Sequence, residues 1–106
     1  MKEAYEALAK NPANYVPLTP ISFLQRTAEI YGEREAIIYG TRRYSWRQCY
    51  ERCLRMASSL TELGIGKGDT VAVLAFNTPE MFEAHFFVPM TGAVLNTINT
   101  RLDAET

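Results

Sequence analysis

The sequence predicts an α/β fold, and three observations support that prediction. Two short apolar runs flank a helix-like segment between Asp69 and Thr100, the pattern of a strand–helix–strand unit. The stretch Glu35–Ser45 carries aromatic and β-branched residues on both sides of a glycine, which is typical of a β-hairpin. Between these two units, a long amphipathic segment follows a serine, which indicates a capped helix.

The strand–helix–strand unit is the part of the chain around which the rest is organised. Its first strand is predicted from Val71, Val73 and Leu74, and its second strand is Val94–Ile98. The helix between them has two candidate starts. Asn77 can cap it while Glu80 reaches back, or Thr78 can cap it with Pro79 at the first helical position. Two strands joined by such a helix normally lie parallel, with a right-handed crossover.

The upstream half predicts a helix, a hairpin and a second helix. Thr19 and Pro20 begin the first helix and Gly32 ends it. Its apolar stripe is predicted to comprise Phe23, Leu24, Thr27, Ala28 and Tyr31. The hairpin pairs Ala36–Tyr39 with Arg42–Ser45 through a turn at Gly40 and Thr41.

The second helix is predicted from Trp46 to about Leu63, with Ser45 as its cap and Gly64 as its stop. Its stripe comprises Trp46, Cys49, Tyr50, Cys53, Ala57 and Leu60. A short helix is also predicted within residues 2–10, with Tyr5 and Leu8 on one side. The three prolines between Asn11 and Pro20 predict an extended segment after it.

Composition excludes several classes of protein. The chain has 106 residues, of which 47% are hydrophobic and 22% charged, a profile typical of a globular domain. Its formal net charge of −1 argues against a nucleic-acid binder, which would usually be basic. No stretch approaches the apolar length of a membrane span, and the N-terminus has no signal-peptide pattern. We therefore expect an intracellular protein, cytoplasmic or peroxisomal.

Cys49 and Cys53 are the only cysteines, and their spacing places both on one face of a helix. We interpret them as small buried core residues, because free cysteines are commonly buried. A disulfide within one helical turn has poor geometry. A zinc site would need two more ligands, which the single histidine, His85, cannot supply alone. We therefore predict no metal site.

Catalytic patterns are weak in this sequence. The glycine-rich segment 64–69 lies after a helix and before a strand, the reverse of a phosphate-binding loop, and predicts a plain helix-to-strand turn. His85 lies within the predicted third helix, whose apolar residues are Met81, Phe82, His85, Phe86 and Val88 and whose end is marked by Pro89. A partly buried histidine that fills space or donates one hydrogen bond is favoured over a catalytic base.

The end of the last strand holds the candidate binding residues. Five polar residues follow one another there: Asn96, Thr97, Asn99, Thr100 and Arg101. Open α/β sheets bind ligands at the carboxyl ends of their strands. A loop that only caps the strand end is the competing interpretation. The strand Val94–Ile98 is also too apolar for an exposed edge, so we expect further chain or a partner protein to cover it.

The order of these signals resembles the N-terminal part of the AMP-forming acyl-CoA synthetases, and most of all the plant acyl-activating enzymes and bacterial medium-chain ligases. The matching stretches are NYVPLTPISFLQRTAEIYGEREAIIYGTRRYSW and LGIGKGDTVAVLAFNTPEMFEAHFFVPMTGAVLNTINTRLDAET. The resemblance implies that residues 1–18 are an N-terminal arm. It also implies that residues 19–106 begin the large domain of the adenylate-forming fold, which this chain leaves incomplete.

The resemblance also implies a reaction. Members of the family join a carboxylic acid to ATP as an acyl-adenylate and pass the acyl group to coenzyme A, with Mg²⁺ as a further cofactor. Their phosphate loop, nucleotide-binding aspartate and catalytic lysine do not occur in these 106 residues, so we expect no catalytic residue and no cofactor for this chain alone. By analogy, Asn99, Thr100 and Arg101 lie near the coenzyme A nucleotide.

Two interpretations of the chain remain open at this point. In the first, it is the N-terminal fragment of an acyl-CoA ligase and is inactive alone. In the second, it is a non-catalytic interaction module that pairs with a related ligase through the edge at Val94–Ile98.

Overall fold

The computed structural model describes residues 7, 9–13 and 15–105. Three helices and four strands occur within them, and the order along the chain is α1 (Pro20–Tyr31), β1 (Glu35–Tyr39), β2 (Arg42–Ser45), α2 (Trp46–Glu62), β3 (Thr70–Leu74), α3 (Pro79–Met90) and β4 (Val94–Ile98). The predicted helix within residues 2–10 depends on residues outside the described part. No helix of the described residues is long and apolar enough to cross a membrane.

The strands form two separate two-stranded sheets, as predicted. Strands β1 and β2 pair antiparallel, and Gly40 takes a φ of +60° in the turn, which favours glycine. Strands β3 and β4 pair parallel, with Thr70 opposite Val94 and Leu74 opposite Ile98. Helix α3 is the crossover between them. The predicted α/β fold with a hairpin and a parallel strand–helix–strand unit is confirmed.

Side-chain caps fix where each helix begins. Thr19 and Ser45 accept hydrogen bonds from backbone amides of α1 and α2, and each forms a reciprocal capping box. At α3 the cap is Thr78, whose hydroxyl accepts from the amide of Met81, and Pro79 occupies the first turn. The capping box between Asn77 and Glu80, one of the two predicted starts, is therefore not the one formed.

The two glycines predicted to end helices α1 and α2 are needed for different physical reasons. Gly64 follows α2 with a φ of +88°, the left-handed conformation expected after a helix. Gly32 follows α1 with a φ of −52°, which any residue can adopt. A Cβ atom there would lie 2.5 Å from the carbonyl oxygen of Ala28 and 2.7 Å from Nη2 of Arg47. Lack of space rather than backbone conformation therefore requires a glycine at position 32.

The core lies where the three helices meet the inner faces of the two sheets. Helix α2 supplies it with the predicted stripe. Helices α1 and α3 and the turn before β4 complete a cluster that comprises Leu24, Cys49, Cys53, Ala57, Leu60, Ala84, Phe87, Val88 and Ala93. Two predicted stripes were wrong in part. Phe23 and Tyr31 of α1 are about half exposed. In α3, Phe82 and His85 are exposed, whereas Glu83 and Phe87 are buried.

The reason for the error in α3 is that apolar residues surround this helix on nearly all sides. A hydrophobic periodicity of 3.6 residues identifies the buried face of a helix only when the opposite face is polar. The predicted end at Pro89 is also one residue early, because α3 continues to Met90 and Thr91 caps it. Pro89 has no backbone N–H to donate, but this is tolerated in the last turn, where the hydrogen bonds within the helix are already ending.

The parallel sheet is covered on one face only. Val71, Val73 and Leu95 pack against the core. The alternate residues Leu74 and Val94 are 66% and 62% exposed on the other face. Parallel sheets in globular proteins are normally covered on both faces. The apolar edge expected from the sequence is thus part of a wider uncovered apolar surface.

Candidate functional site

A cleft of about 500 Å³ opens at the carboxyl ends of β3 and β4. Its wall is formed by the segments that leave the two strands and by the first half of α3, and its lining residues are Ala75, Phe76, Asn77, Met81, His85, Thr97, Ile98, Asn99, Thr100 and Arg101. The parallel pairing of β3 and β4 brings both strand ends to the same edge. This edge is where α/β sheets bind ligands.

The structure places all three predicted site residues in this cleft. The turn after β4 is fixed by Asn99, whose side-chain oxygen accepts a hydrogen bond of 2.9 Å from the amide of Arg101. This is an Asx turn, so Asn99 has a structural role whatever else it binds. Arg101 is exposed and forms no ion pair within residues 15–105. Of the other polar residues predicted there, Thr97 lines the cleft and Asn96 does not.

His85 occupies a different position from the one predicted. It is exposed, lines the cleft, and holds its Nδ1 atom 2.9 Å from the carbonyl oxygen of Met81. Because a carbonyl only accepts hydrogen bonds, Nδ1 carries the proton. The single hydrogen bond expected of this histidine is therefore present, but the ring is exposed and belongs to the wall of the cleft rather than to the core.

A second, mostly apolar groove of about 550 Å³ lies between the hairpin and α3. Ile37, Ile38 and Tyr39 form one side, and Phe82 and Phe86 belong to the other. The two aromatic rings of α3 meet edge to face at 5.3 Å. Sequence reasoning missed this groove, because no local pattern shows that the hairpin lies beside α3.

A chain of charged side chains fixes α3 against the hairpin and α2. Nη2 of Arg42 lies 2.6 Å from a carboxylate oxygen of Glu80. That hydrogen bond is the main reason why the pKa of Glu80 lies below its ordinary value and the pKa of Arg42 above its own. Arg52 stacks its guanidinium over the ring of Tyr44 at 4.2 Å and binds Glu83. The start of α3, from which the cleft is built, is thereby held in place.

Two thiols and one carboxylate gather beneath this network. Cys49 and Cys53 are buried and free, as predicted, and Glu83 lies beside them. The Sγ of Cys53 donates to the backbone carbonyl oxygen of Glu83 at 3.7 Å. The interaction of the two thiols lowers the pKa of Cys49 and raises that of Cys53. Among the described residues these three are the group that could hold a metal ion. The spacing of the two thiols was visible in the sequence. The third metal-binding group, Glu83, lies on α3, and its position beside them was not.

The glycine-rich loop 64–69 is a helix-to-strand turn, as predicted. The amide of Gly66 donates a 2.8 Å hydrogen bond to a carboxylate oxygen of Asp69. Gly68 takes a φ of +94°. The loop directs an amide to its own aspartate and leads into β3 rather than into a helix, so it lacks the arrangement of a phosphate-binding loop.

Comparison with known proteins identifies the family. A protein-family model described as "AMP-binding enzyme" matches residues 24–106. The chain belongs to this family. The resemblance found in the sequence is thus confirmed, and the match begins inside α1 and extends to the last residue.

Relatives in this AMP-binding family come from plants and bacteria. A probable peroxisomal acyl-activating enzyme of Arabidopsis thaliana is 62% identical over 92% of this chain and 17% of its own length. A peroxisomal butyrate–CoA ligase of the same plant is 61% identical over 89% of this chain and 16% of its own length. The chain thus spans about one sixth of the length of these relatives.

A solved structure from the same family has the same fold. A proposed long-chain-fatty-acid CoA ligase of Rhodopseudomonas palustris aligns with a TM-score of 0.78 and 34% identity. The alignment covers 83% of this chain and 22% of that protein. The α/β unit described above therefore corresponds to a small part of a much larger enzyme.

Proposed function

We propose that this chain is the N-terminal portion of an acyl-CoA ligase. The complete enzyme activates a carboxylic acid with ATP to an acyl-adenylate, releases pyrophosphate, and transfers the acyl group to the thiol of coenzyme A. The 61% identity with a butyrate–CoA ligase is the observation that carries this proposal. The comparisons do not support the alternative of an interaction module that pairs with a related ligase.

Within the complete enzyme, residues 1–18 form an arm and residues 19–106 begin the large domain. The uncovered face of the parallel sheet supports this assignment, since exposed Leu74 and Val94 require a covering layer. ATP, coenzyme A and Mg²⁺ belong to the complete enzyme, and the chain alone is inactive. Both Arabidopsis relatives are named peroxisomal, and the proposal extends to that compartment.

Asn99, Thr100 and Arg101 are proposed to contact the coenzyme A nucleotide. Their place at the carboxyl ends of two parallel strands supports this role. The guanidinium of Arg101 is exposed beside the cleft, and a planar guanidinium suits the bidentate recognition of phosphate. The Asx turn at Asn99 holds the backbone that presents it.

A chimera tests the proposed function. This chain would replace the matching segment of the butyrate–CoA ligase, and both the chimera and the isolated chain would be assayed. We expect butyrate-dependent exchange of pyrophosphate with ATP, and butyryl-CoA formation, from the chimera only. Circular dichroism of the chimera provides the folding control. A folded chimera without either activity would contradict the assignment to this enzyme, and exchange by the isolated chain would contradict its proposed inactivity.

A further inference from the structure

Helices α2 and α3 bring three metal-binding side chains to one buried point. The Sγ atoms of Cys49 and Cys53 and a carboxylate oxygen of Glu83 all lie within 4.8 Å of one another. The two cysteines are fully buried and Glu83 is 3% exposed. Glu83 is the buried charged residue of the described core, and its neighbours in the cluster are the chain's two thiols.

We propose that Cys49, Cys53 and Glu83 form a binding site for one divalent metal ion with a filled d shell, such as Zn²⁺. Thiolate and carboxylate are both zinc ligands in proteins. Cysteines four residues apart lie one above the other on a helix, and Glu83 completes the set from the facing helix. The site is independent of the cleft and of the proposed ligase function.

The spacing of the donors suits a tetrahedral ion. Zinc–sulfur bonds of about 2.3 Å and zinc–oxygen bonds of about 2.1 Å place the ligand atoms of a tetrahedron roughly 3.6–3.8 Å apart. Donors already within 4.8 Å need to close by about 1 Å at most to reach these distances. Rotation of side chains supplies a movement of this size without displacing either helix.

The charges of the site balance with a metal ion bound. Without metal, two neutral thiols accompany the carboxylate of Glu83 and the guanidinium of Arg52. With metal, two thiolates and the carboxylate face Zn²⁺ and Arg52, and the total is again zero. Binding converts Zn²⁺ and two R–SH groups into Zn(SR)₂ and two protons that leave to water. No net charge is therefore added to the buried environment.

Arg52 orients the carboxylate of Glu83 by hydrogen bonds, as outer-shell partners of metal ligands do. Its Nε and Nη2 atoms donate to Oε2 and Oε1 of Glu83 at 2.7 and 2.9 Å. Each carboxylate oxygen has two lone-pair positions, so one remains on each for a metal ion. Hydrogen-bonded partners of this kind fix the orientation of metal ligands. The other charged or titratable neighbours of Arg52 are Glu80, at 3.8 Å, and Tyr44.

Cadmium binding by the reduced 106-residue chain tests the proposal. Cd²⁺ would be added to the folded chain and also during refolding, because neither thiol is exposed. We expect one Cd²⁺ per chain, a thiolate-to-cadmium charge-transfer band in the ultraviolet, and a higher melting temperature. Zn²⁺ should compete for the same site. Absence of the band under both loading conditions would overturn the proposal.

Variants assign the ligands. Cys49→Ser and Cys53→Ser should each weaken metal binding by more than about 100-fold. That is a larger loss than is typical when a residue that only hydrogen-bonds to a metal ligand is replaced. Glu83→Gln should weaken it too, whereas Glu80→Gln is the matched control on the same helix. Glu83→Asp keeps a negative charge beside Arg52, but its shorter side chain moves the carboxylate away from the metal position. This variant replaces Glu83→Gln in the experiment if Glu83→Gln does not fold. Wild-type affinity in Cys49→Ser, or in Glu83→Gln and Glu83→Asp, would overturn the assignment.

Discussion

Arg52 and Glu83 form a two-point ion pair across the α2–α3 contact, with hydrogen bonds of 2.7 and 2.9 Å. The pair is asymmetric, because Glu83 is buried while the Arg52 side chain is 28% exposed. A buried carboxylate requires its partner, since removing one member of such a pair leaves an uncompensated charge. The first prediction follows from this relationship.

Arg52→Ala leaves the buried carboxylate of Glu83 without its partner and is expected to lower the free energy of unfolding by about 3 kcal/mol. This value is at the low end for breaking a buried ion pair, because the Arg52 side chain is partly exposed. Arg43→Ala is the matched control. It breaks the exposed pair with Glu35 and should cost less than about 1 kcal/mol. Urea unfolding followed by circular dichroism measures both. Equal losses in the two variants would show that burial of Glu83 does not set the cost.

The double variant Arg52→Met/Glu83→Leu provides a further check on the same pair. Replacing a buried ion pair by apolar residues of similar size is often neutral or stabilising. We expect the double variant to be more stable than Arg52→Ala in the same urea experiment. A double variant less stable than Arg52→Ala would show that the unpaired charge of Glu83 is not what destabilises Arg52→Ala.

The ion pair of Glu80 with Arg42 makes stability depend on pH. The pKa of Glu80 is lower in the folded chain, mainly because Arg42 donates a hydrogen bond to it. Between its folded and unfolded values, only the unfolded chain binds the proton, so stability decreases as pH falls. The contribution is complete above the unfolded value of about 4.3 and is lost as pH falls through the folded value.

Glu80→Gln removes this dependence. We therefore expect the difference in urea midpoint between the wild type and Glu80→Gln to be constant from about pH 6 upward and to shrink below the unfolded pKa of about 4.3. Unfolding curves at a series of pH values measure it. A difference that grows toward acid would contradict the assigned direction of the shift.

Gly32→Ala is expected to destabilise the chain by crowding. The new methyl group would lie 2.5 Å from the carbonyl oxygen of Ala28 and 2.7 Å from Nη2 of Arg47. Forcing extra atoms into a packed site costs about 1–3 kcal/mol. Gly66→Ala is the matched control, because its nearest neighbour would be 3.9 Å away. Melting temperatures compare the two, and similar values would show that α1 and Arg47 can move apart.

Arg101→Ala, introduced into the chimera with the butyrate–CoA ligase, tests the proposed nucleotide contact. We expect the KM for coenzyme A to rise about tenfold, the loss of one charge-assisted hydrogen bond of about 1.5 kcal/mol. Exchange of pyrophosphate with ATP should not change, because that half-reaction precedes coenzyme A. Arg26→Ala, an exposed arginine on α1, is the control. Equal effects on both half-reactions would contradict the assignment.

The sequence by itself determined the elements and their order. Caps at Thr19 and Ser45, the turn at Gly40 and the stripe of α2 are local features, and each acts within a few residues of its own position. The parallel pairing of β3 with β4 was also predictable, because a helical crossover leaves few other arrangements. The position of residues 99–101 beside the cleft was predictable for the same reason, since parallel strands end at one edge, whereas their selection as binding residues came from the family resemblance and stays a proposal.

Only the tertiary structure decided which faces are buried and which distant side chains meet. Apolar residues lie on nearly all sides of helix α3, so no period could show that Glu83 faces the core while Phe82 faces out. The pairing of Glu83 with Arg52, 31 residues away, depends on how two helices pack. Part of the crowding at Gly32 likewise comes from Arg47, across a helix contact, in addition to the local carbonyl oxygen of Ala28. Contacts between elements depend on the whole chain, and local patterns do not contain them.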